Sequence, residues 1–153
     1  MNQSLTLLAK QIKLNRINNK LPIYDFGLGE SPMPLPESII KSIKKNYKYK
    51  EYTNCKGIPE LKKILGNRLL IGNGLKPLIF NLQLSFNKLY PKGSIIYISP
   101  SWCSYVEQSN ILDINTHTVF PSNNNWKINA KDLEDILKIS SVNNLIFFNN
   151  PNN

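Results

Sequence analysis

At 153 residues, with 41% hydrophobic and 19% charged residues, the chain has material for one domain with a real core and too little for two. No apolar run approaches the ~18–20 residues of a bilayer-spanning helix, so a membrane protein of that kind is not expected. The formal charge of +9 raises the question of nucleic acid, but the excess is scattered lysine, Arg16 and Arg68 are the only arginines, and neither nucleic acid nor membrane is expected as a partner.

Met1 to Lys20 lacks acidic residues and carries Leu5, Leu8 and Ile12 at helical spacing. An N-terminal arm helix over 4–18 is the expectation, a mitochondrial presequence being the rarer explanation of such a stretch. Leu21 to Gly29 alternates apolar and polar residues and ends in Gly27-Leu28-Gly29-Glu30, after which Pro32, Pro34 and Pro36 hold an extended path. Pro36-Glu37 opens a helix ending near Asn46. Lys48 to Gly57 is a loop, and Pro59 opens a short second helix that Gly66-Asn67 ends.

From there the chain alternates. A strand over 68–71 is expected to lead through Gly72-Asn73-Gly74 into a helix over 77–88. Pro91-Lys92-Gly93 turns into a strand over 94–99, a helix follows over about 103–111, then a strand over 115–120. Asn129 is placed to cap a helix over 130–139, and a strand over 144–148 precedes Asn149-Asn150-Pro151-Asn152-Asn153. Helices alternating with buried-looking strands argue an α/β fold with a mostly parallel, doubly covered sheet.

In open α/β sheets ligands lie at the carboxyl ends of the strands. Three such ends carry unusual residues. At the first, Gly72 and Gly74 permit a close backbone approach, the N–H groups of Leu75 and Lys76 fall at a helix N-terminus that favours an anion, and Lys76 adds positive charge. The second carries Ser99-Pro100-Ser101-Trp102, with a flat aromatic and an X–Pro bond suited to a cis turn. The third is the amide-rich turn after 148. Together they suit a planar, phosphorylated, heteroaromatic ligand, although each by itself is also an ordinary turn or core element. His117 on a strand is read as structural. Cys55 and Cys103 stand at no metal or redox spacing, so no metal is expected, and without a recognisable signal peptide they indicate a reducing, cytoplasmic compartment.

With these residues in order, the chain resembles the N-terminal part of a fold-type I, pyridoxal-phosphate-dependent aminotransferase of class I/II. The resemblance rests on Gly27-Leu28-Gly29-Glu30-Ser31-Pro32, on Glu51-Tyr52-Thr53 with Gly57-Ile58-Pro59-Glu60-Leu61, on Gly72-Asn73-Gly74-Leu75-Lys76, on Ser99-Pro100-Ser101-Trp102 and on Asn149 to Asn153. It implies residues 1–35 as arm and small-domain segment, and 36–153 as the N-terminal part of the large, cofactor-binding domain. The implied cofactor is pyridoxal 5′-phosphate and the substrates an amino acid and a 2-oxo acid. The resemblance gives Gly29 a backbone contact to the substrate carboxylate, and Tyr52 a contact to the cofactor phosphate across the boundary of a homodimer. Gly74, Leu75 and Lys76 become the phosphate loop, Trp102 the stacking ring, and Asn153 the amide on the pyridine 3′-oxygen.

Leu75 departs from the family's small or hydroxylic residue, Pro77 removes a further donor, and the segment from Leu61 to Leu69 is short. The Schiff-base lysine, the acidic partner of the pyridine nitrogen and the substrate-binding arginine are all expected beyond Asn153, so no residue here is assigned as catalytic. The chain reads as a fragment, with a non-catalytic remnant or split-enzyme piece, or a fold-type I lyase or decarboxylase, as alternatives. In the family sheet the strand at 68–71 has neighbours that come from later segments. Taken by itself, the polypeptide is therefore expected to leave strand edges and apolar faces uncovered and to be unstable or to aggregate.

Overall fold

The computed structural model describes residues 5–25, 29, 31–66, 68–123 and 125–150. They fall into two compact units, Met1–Glu51 and Tyr52–Asn153. In the first, helix α1 (Leu5–Asn18) ends in a turn where Lys20 takes a positive φ of 53°, and the chain folds back along it. The return is held by the Leu21 N–H donating to Arg16 O at 2.9 Å, by Arg16 Nε donating to Pro22 O at 2.8 Å, and by a Lys13–Asp25 ion pair. Helix α2 (Glu37–Asn46) follows Pro36, with Glu37 in its first turn and Lys44 and Lys45 in its last, each charge complementing the helix dipole.

The second unit runs α3 (Pro59–Leu65), α4 (Leu75–Leu89), β1 (Ser94–Ile98), α5 (Ser104–Ile111), β2 (Asn115–Val119), α6 (Ala130–Leu137) and β3 (Asn144–Phe147). Its strands form a parallel sheet in the order β2-β1-β3, Ile95 lying between Thr116 and Leu145. Being central and covered on both faces, β1 is apolar without alternation: Ile95, Ile96 and Tyr97 are all buried. The edge strand β2 reads Asn-Thr-His-Thr-Val, with Asn115 and Thr118 exposed, Thr116 and His117 half-buried and Val119 buried. The connections β1–α5–β2 and β2–α6–β3 run to opposite sides of β1, so right-handed crossovers put α5 and α6 on opposite faces of the sheet.

On the α4–α5 face, Ile79, Ile95, Tyr97, Tyr105 and Ile114 form the core, with Phe86, Trp102, Val106, Leu112, Leu145 and Phe147 packed on it. Ser94, on the other face, ties the sheet's lower end. Its Oγ accepts from Asn115 Nδ2 at 3.1 Å and shares a hydrogen bond with Ser141 Oγ at 2.8 Å.

The expected helices and the strands at 94–99, 115–120 and 144–148 form within a few residues of their expected ends, and Ser99–Pro100 is cis. The strand at 68–71 does not form. No described strand lies beside these residues, and extended chain without a ladder partner is not a strand. Helix α4 begins at Leu75 rather than Pro77, because a proline in the first turn lacks only an N–H that had no helical partner to lose. The turn at Gly57 does need glycine. Its φ is +96°, and a Cβ there would sit 2.7 Å from Ile71 Cδ1.

The expected cap at Asn129 is present as a reciprocal pair. Asn129 Oδ1 accepts from the Asp132 N–H at 3.0 Å, and Asp132 Oδ2 accepts from the Asn129 N–H at 3.0 Å. Asn129→Ala is expected to lower stability by about 1 kcal/mol in urea denaturation at neutral pH. The Asn129 N–H and then the Ser122 side chain hold the Asp132 carboxyl below its ordinary 3.8. A lowered folded value means the contribution is complete above that ordinary value and fades as pH falls through the folded one. Asp132→Ala, which removes this carboxylate, is therefore expected to cost less in acid than at neutrality.

Candidate functional site

The carboxyl end of β1 and the start of α4 meet through α5. Gly74 caps α4 with φ 94° and ψ 165°, a conformation that strains any L-residue, and its own N–H donates to Gly72 O at 2.8 Å. The first turn of α4 contains no acidic residue and no side chain caps it. The N–H groups of Leu75 and Lys76, both exposed residues, therefore remain available at the positive end of a helix. A lysine at that end opposes the dipole and is mildly unfavourable unless an anion joins it.

Trp102 follows the cis-proline turn and is half-buried. Tyr105 meets it edge-on at 5.4 Å between centroids and in turn stacks on Phe147 at 4.9 Å, so the orientation of the indole is set by the core. Lys76 Nζ lies 5.7 Å from the centre of the Trp102 ring, within cation–π range. The helix terminus, the ammonium and the aromatic face are thus one cluster, reached from separate parts of the sequence.

Of the other expected site residues, Tyr52 stands apart from this cluster within the second unit, Gly29 belongs to the first unit, and Asn153 is not described. Tyr52 is fully exposed and makes no contact with Lys76 or Trp102. Gly29 is exposed in the first unit, with open space among the described residues where a Cβ would be. Asn153 lies outside the described residues, as do Gly27, Leu28 and Glu30 of the first glycine motif; Asn149 and Asn150 follow β3. A cleft of about 340 Å³ at the ends of β1 and β3 is lined by Pro100, Trp126, Phe148, Asn149 and Asn150 among others.

The sequence reading did not single out the polar groups beneath this cluster. Gln83 is fully buried: its Nε2 donates to Tyr105 O at 3.2 Å and its Oε1 accepts from Ser109 Oγ at 2.9 Å. The Tyr97 hydroxyl donates to Tyr105 O at 3.0 Å and also contacts Ser109 Oγ. Gln108 Nε2 donates to Lys76 O at 3.0 Å. The available signal was an amide on an apolar stripe, Gln83 falling four residues after Ile79 and Gln108 three after Tyr105.

Burial lifts the Tyr97 phenol above its ordinary 10.0, a hydrogen bond with Ser109 opposing the effect. The sign follows from the raised value. The contribution is complete below about pH 10, where the unfolded phenol begins to ionise, and is lost as pH climbs through the folded value. Tyr97→Phe is expected to lower stability by about 1 kcal/mol at neutral pH and to flatten the alkaline loss, read from urea melts on either side of pH 10.

Residues 22–153 match the family described as aminotransferase class I and II. A curated aspartate aminotransferase of Streptomyces avermitilis is 25% identical over 130 residues, which cover 74% of this chain and 31% of that protein. The fold is similar to solved structures of the aspartate aminotransferase from Rhizobium meliloti (TM-score 0.77, 20% identity, all of this chain and 41% of that one) and of a single mutant of the Thermus thermophilus aspartate aminotransferase (TM-score 0.78, 20% identity, all of this chain and 43% of that one). The chain thus spans about a third of the curated relative's length and about two fifths of each solved chain. Its α/β architecture is part of the fold-type I aminotransferase fold. The chain belongs to the aminotransferase class I and II family.

Proposed function

We propose that this chain supplies part of the cofactor-binding domain of a pyridoxal-phosphate-dependent aminotransferase, acting on an amino acid and a 2-oxo acid. The observation that carries this reading is the Lys76 ammonium beside the Trp102 ring at the acid-free start of α4. The donor set fits the cofactor: backbone N–H groups and a cation for a phosphate, and an anchored indole face for a pyridine ring. When bound, pyridoxal phosphate supplies the electron sink for chemistry at the carbon bearing the amino group.

The chain's own residues bind and orient. Gly74 lets the backbone turn toward the phosphate, Leu75 and Lys76 donate to it, and Trp102 fixes the plane of the ring. Tyr52, exposed at the start of its unit, is assigned to a phosphate across a homodimer boundary, Asn153 to the pyridine 3′-oxygen, and Gly29 to the substrate carboxylate. These assignments rest on the family resemblance. Free, exposed Cys55 and Cys103 support a reducing cytoplasm as the setting, and among the described residues no helix is long and apolar enough to cross a membrane.

The test is a titration of the full protein with pyridoxal 5′-phosphate and, separately, with pyridoxal, followed by tryptophan fluorescence, the signal of Trp102 being the difference between wild type and Trp102→Phe. Quenching of Trp102 at much lower concentrations of the phosphorylated compound is expected. Equal affinities, or no quenching by either, would overturn the reading.

A further inference from the structure

Side-chain amides on both helices stitch α4 to α5. Gln83 Nε2 reaches Tyr105 O, Asn87 Nδ2 reaches Leu112 O at 3.3 Å, and Gln108 Nε2 reaches Lys76 O. Only the last grips the first turn of α4. Its acceptor is the carbonyl of the Lys76–Pro77 peptide, a peptide with no N–H of its own, immediately after the Leu75 and Lys76 donors. Gln108 sits on the helix that follows Trp102, so a single side chain links the height of those donors to the element carrying the stacking ring.

Core stability does not account for an amide at this position. Gln108 is 6% exposed, and its Oε1 is buried with no hydrogen-bond partner among the described residues. A buried acceptor left unpaired carries its full desolvation cost, which an apolar side chain of similar shape avoids. Gln83 differs, since both ends of its amide are bonded.

We propose that Gln108 is a positioning residue for the phosphate-binding turn, holding the Lys76 peptide in register with Trp102. The inference rests on the reading of that turn given above, and the measurement separates the two. In the full protein, the ratio of the dissociation constants for pyridoxal and pyridoxal 5′-phosphate isolates the phosphate's share of binding.

Gln108→Met is expected to shrink this ratio about three- to tenfold through misplaced donors, without lowering the melting temperature. Asn87→Ala, which removes an equivalent bridge away from the first turn, is expected to leave the ratio unchanged. If Gln108→Met does not fold, Gln108→Ala, which needs no repacking, repeats the comparison. A ratio unchanged by removing the Gln108 amide, or reduced equally by Asn87→Ala, would overturn the positioning role while leaving the phosphate turn standing. A wild-type ratio near one would remove the phosphate reading and this inference with it.

Discussion

Replacing Trp102 by alanine is expected to weaken pyridoxal 5′-phosphate binding about tenfold or more, the scale of losing one aromatic stacking partner for a heteroaromatic ring. The loss has two sources. The pyridine ring loses its platform, and Lys76 loses the aromatic face beside which its ammonium sits. Trp102 also packs on the core through Tyr105, so alanine will lower stability as well. Trp102→Phe separates the effects. It keeps a flat ring at the position and is expected to retain most of the affinity, measured by equilibrium dialysis because the reporting indole is gone. Alanine and phenylalanine variants that bind equally to wild type would show that this ring is only core.

Ile95→Ala is expected to cost about 2–5 kcal/mol, the range for truncating a large aliphatic side chain in a packed core. Ile95 has no exposed surface, lies in the central strand, and belongs to the cluster that joins α4, α5 and β1. Marginal stability is the rule for single domains, so this change is expected to abolish cooperative unfolding or to leave the protein insoluble. A chemical melt that shifts by less than the transfer cost of the lost atoms would mean that β1 is not the core element of the fold. The vulnerability is sharpened by apolar groups that remain open to solvent, including Ile64, Leu70, Leu75 and Leu89.

Much of this architecture is legible from local chemistry. Ser-Ile-Ile-Tyr-Ile after Pro91-Lys92-Gly93 can scarcely be anything but a buried strand, and Asn129 with Asp132 three residues later writes the start of α6 in side-chain hydrogen bonds. The segment at 68–71 shows the limit of such reasoning. Its residues favour extended chain, but a strand is completed by a neighbour, and local sequence contains no information on which neighbour is present.

The candidate site divides in the same way. Gly74, Leu75, Lys76 and Trp102 are visible because turn glycines, a helix start and an unusual aromatic are local signals. That Lys76 and Trp102 meet depends on the packing of α4 against α5. The grip of Gln108 on the Lys76 carbonyl depends on it too, and a glutamine on an apolar stripe signals burial without naming its partner.

The most direct test of the central claim, that the first turn of α4 holds a cofactor phosphate, is the phosphorus NMR signal of pyridoxal 5′-phosphate bound to the full protein. It would be followed across the ordinary second ionisation of a phosphate ester, near pH 6. Held by the Leu75 and Lys76 N–H groups and the Lys76 ammonium, the phosphate should stay dianionic, and its resonance should not move with pH. A resonance that titrates like that of the free compound while the protein is in excess would contradict the account.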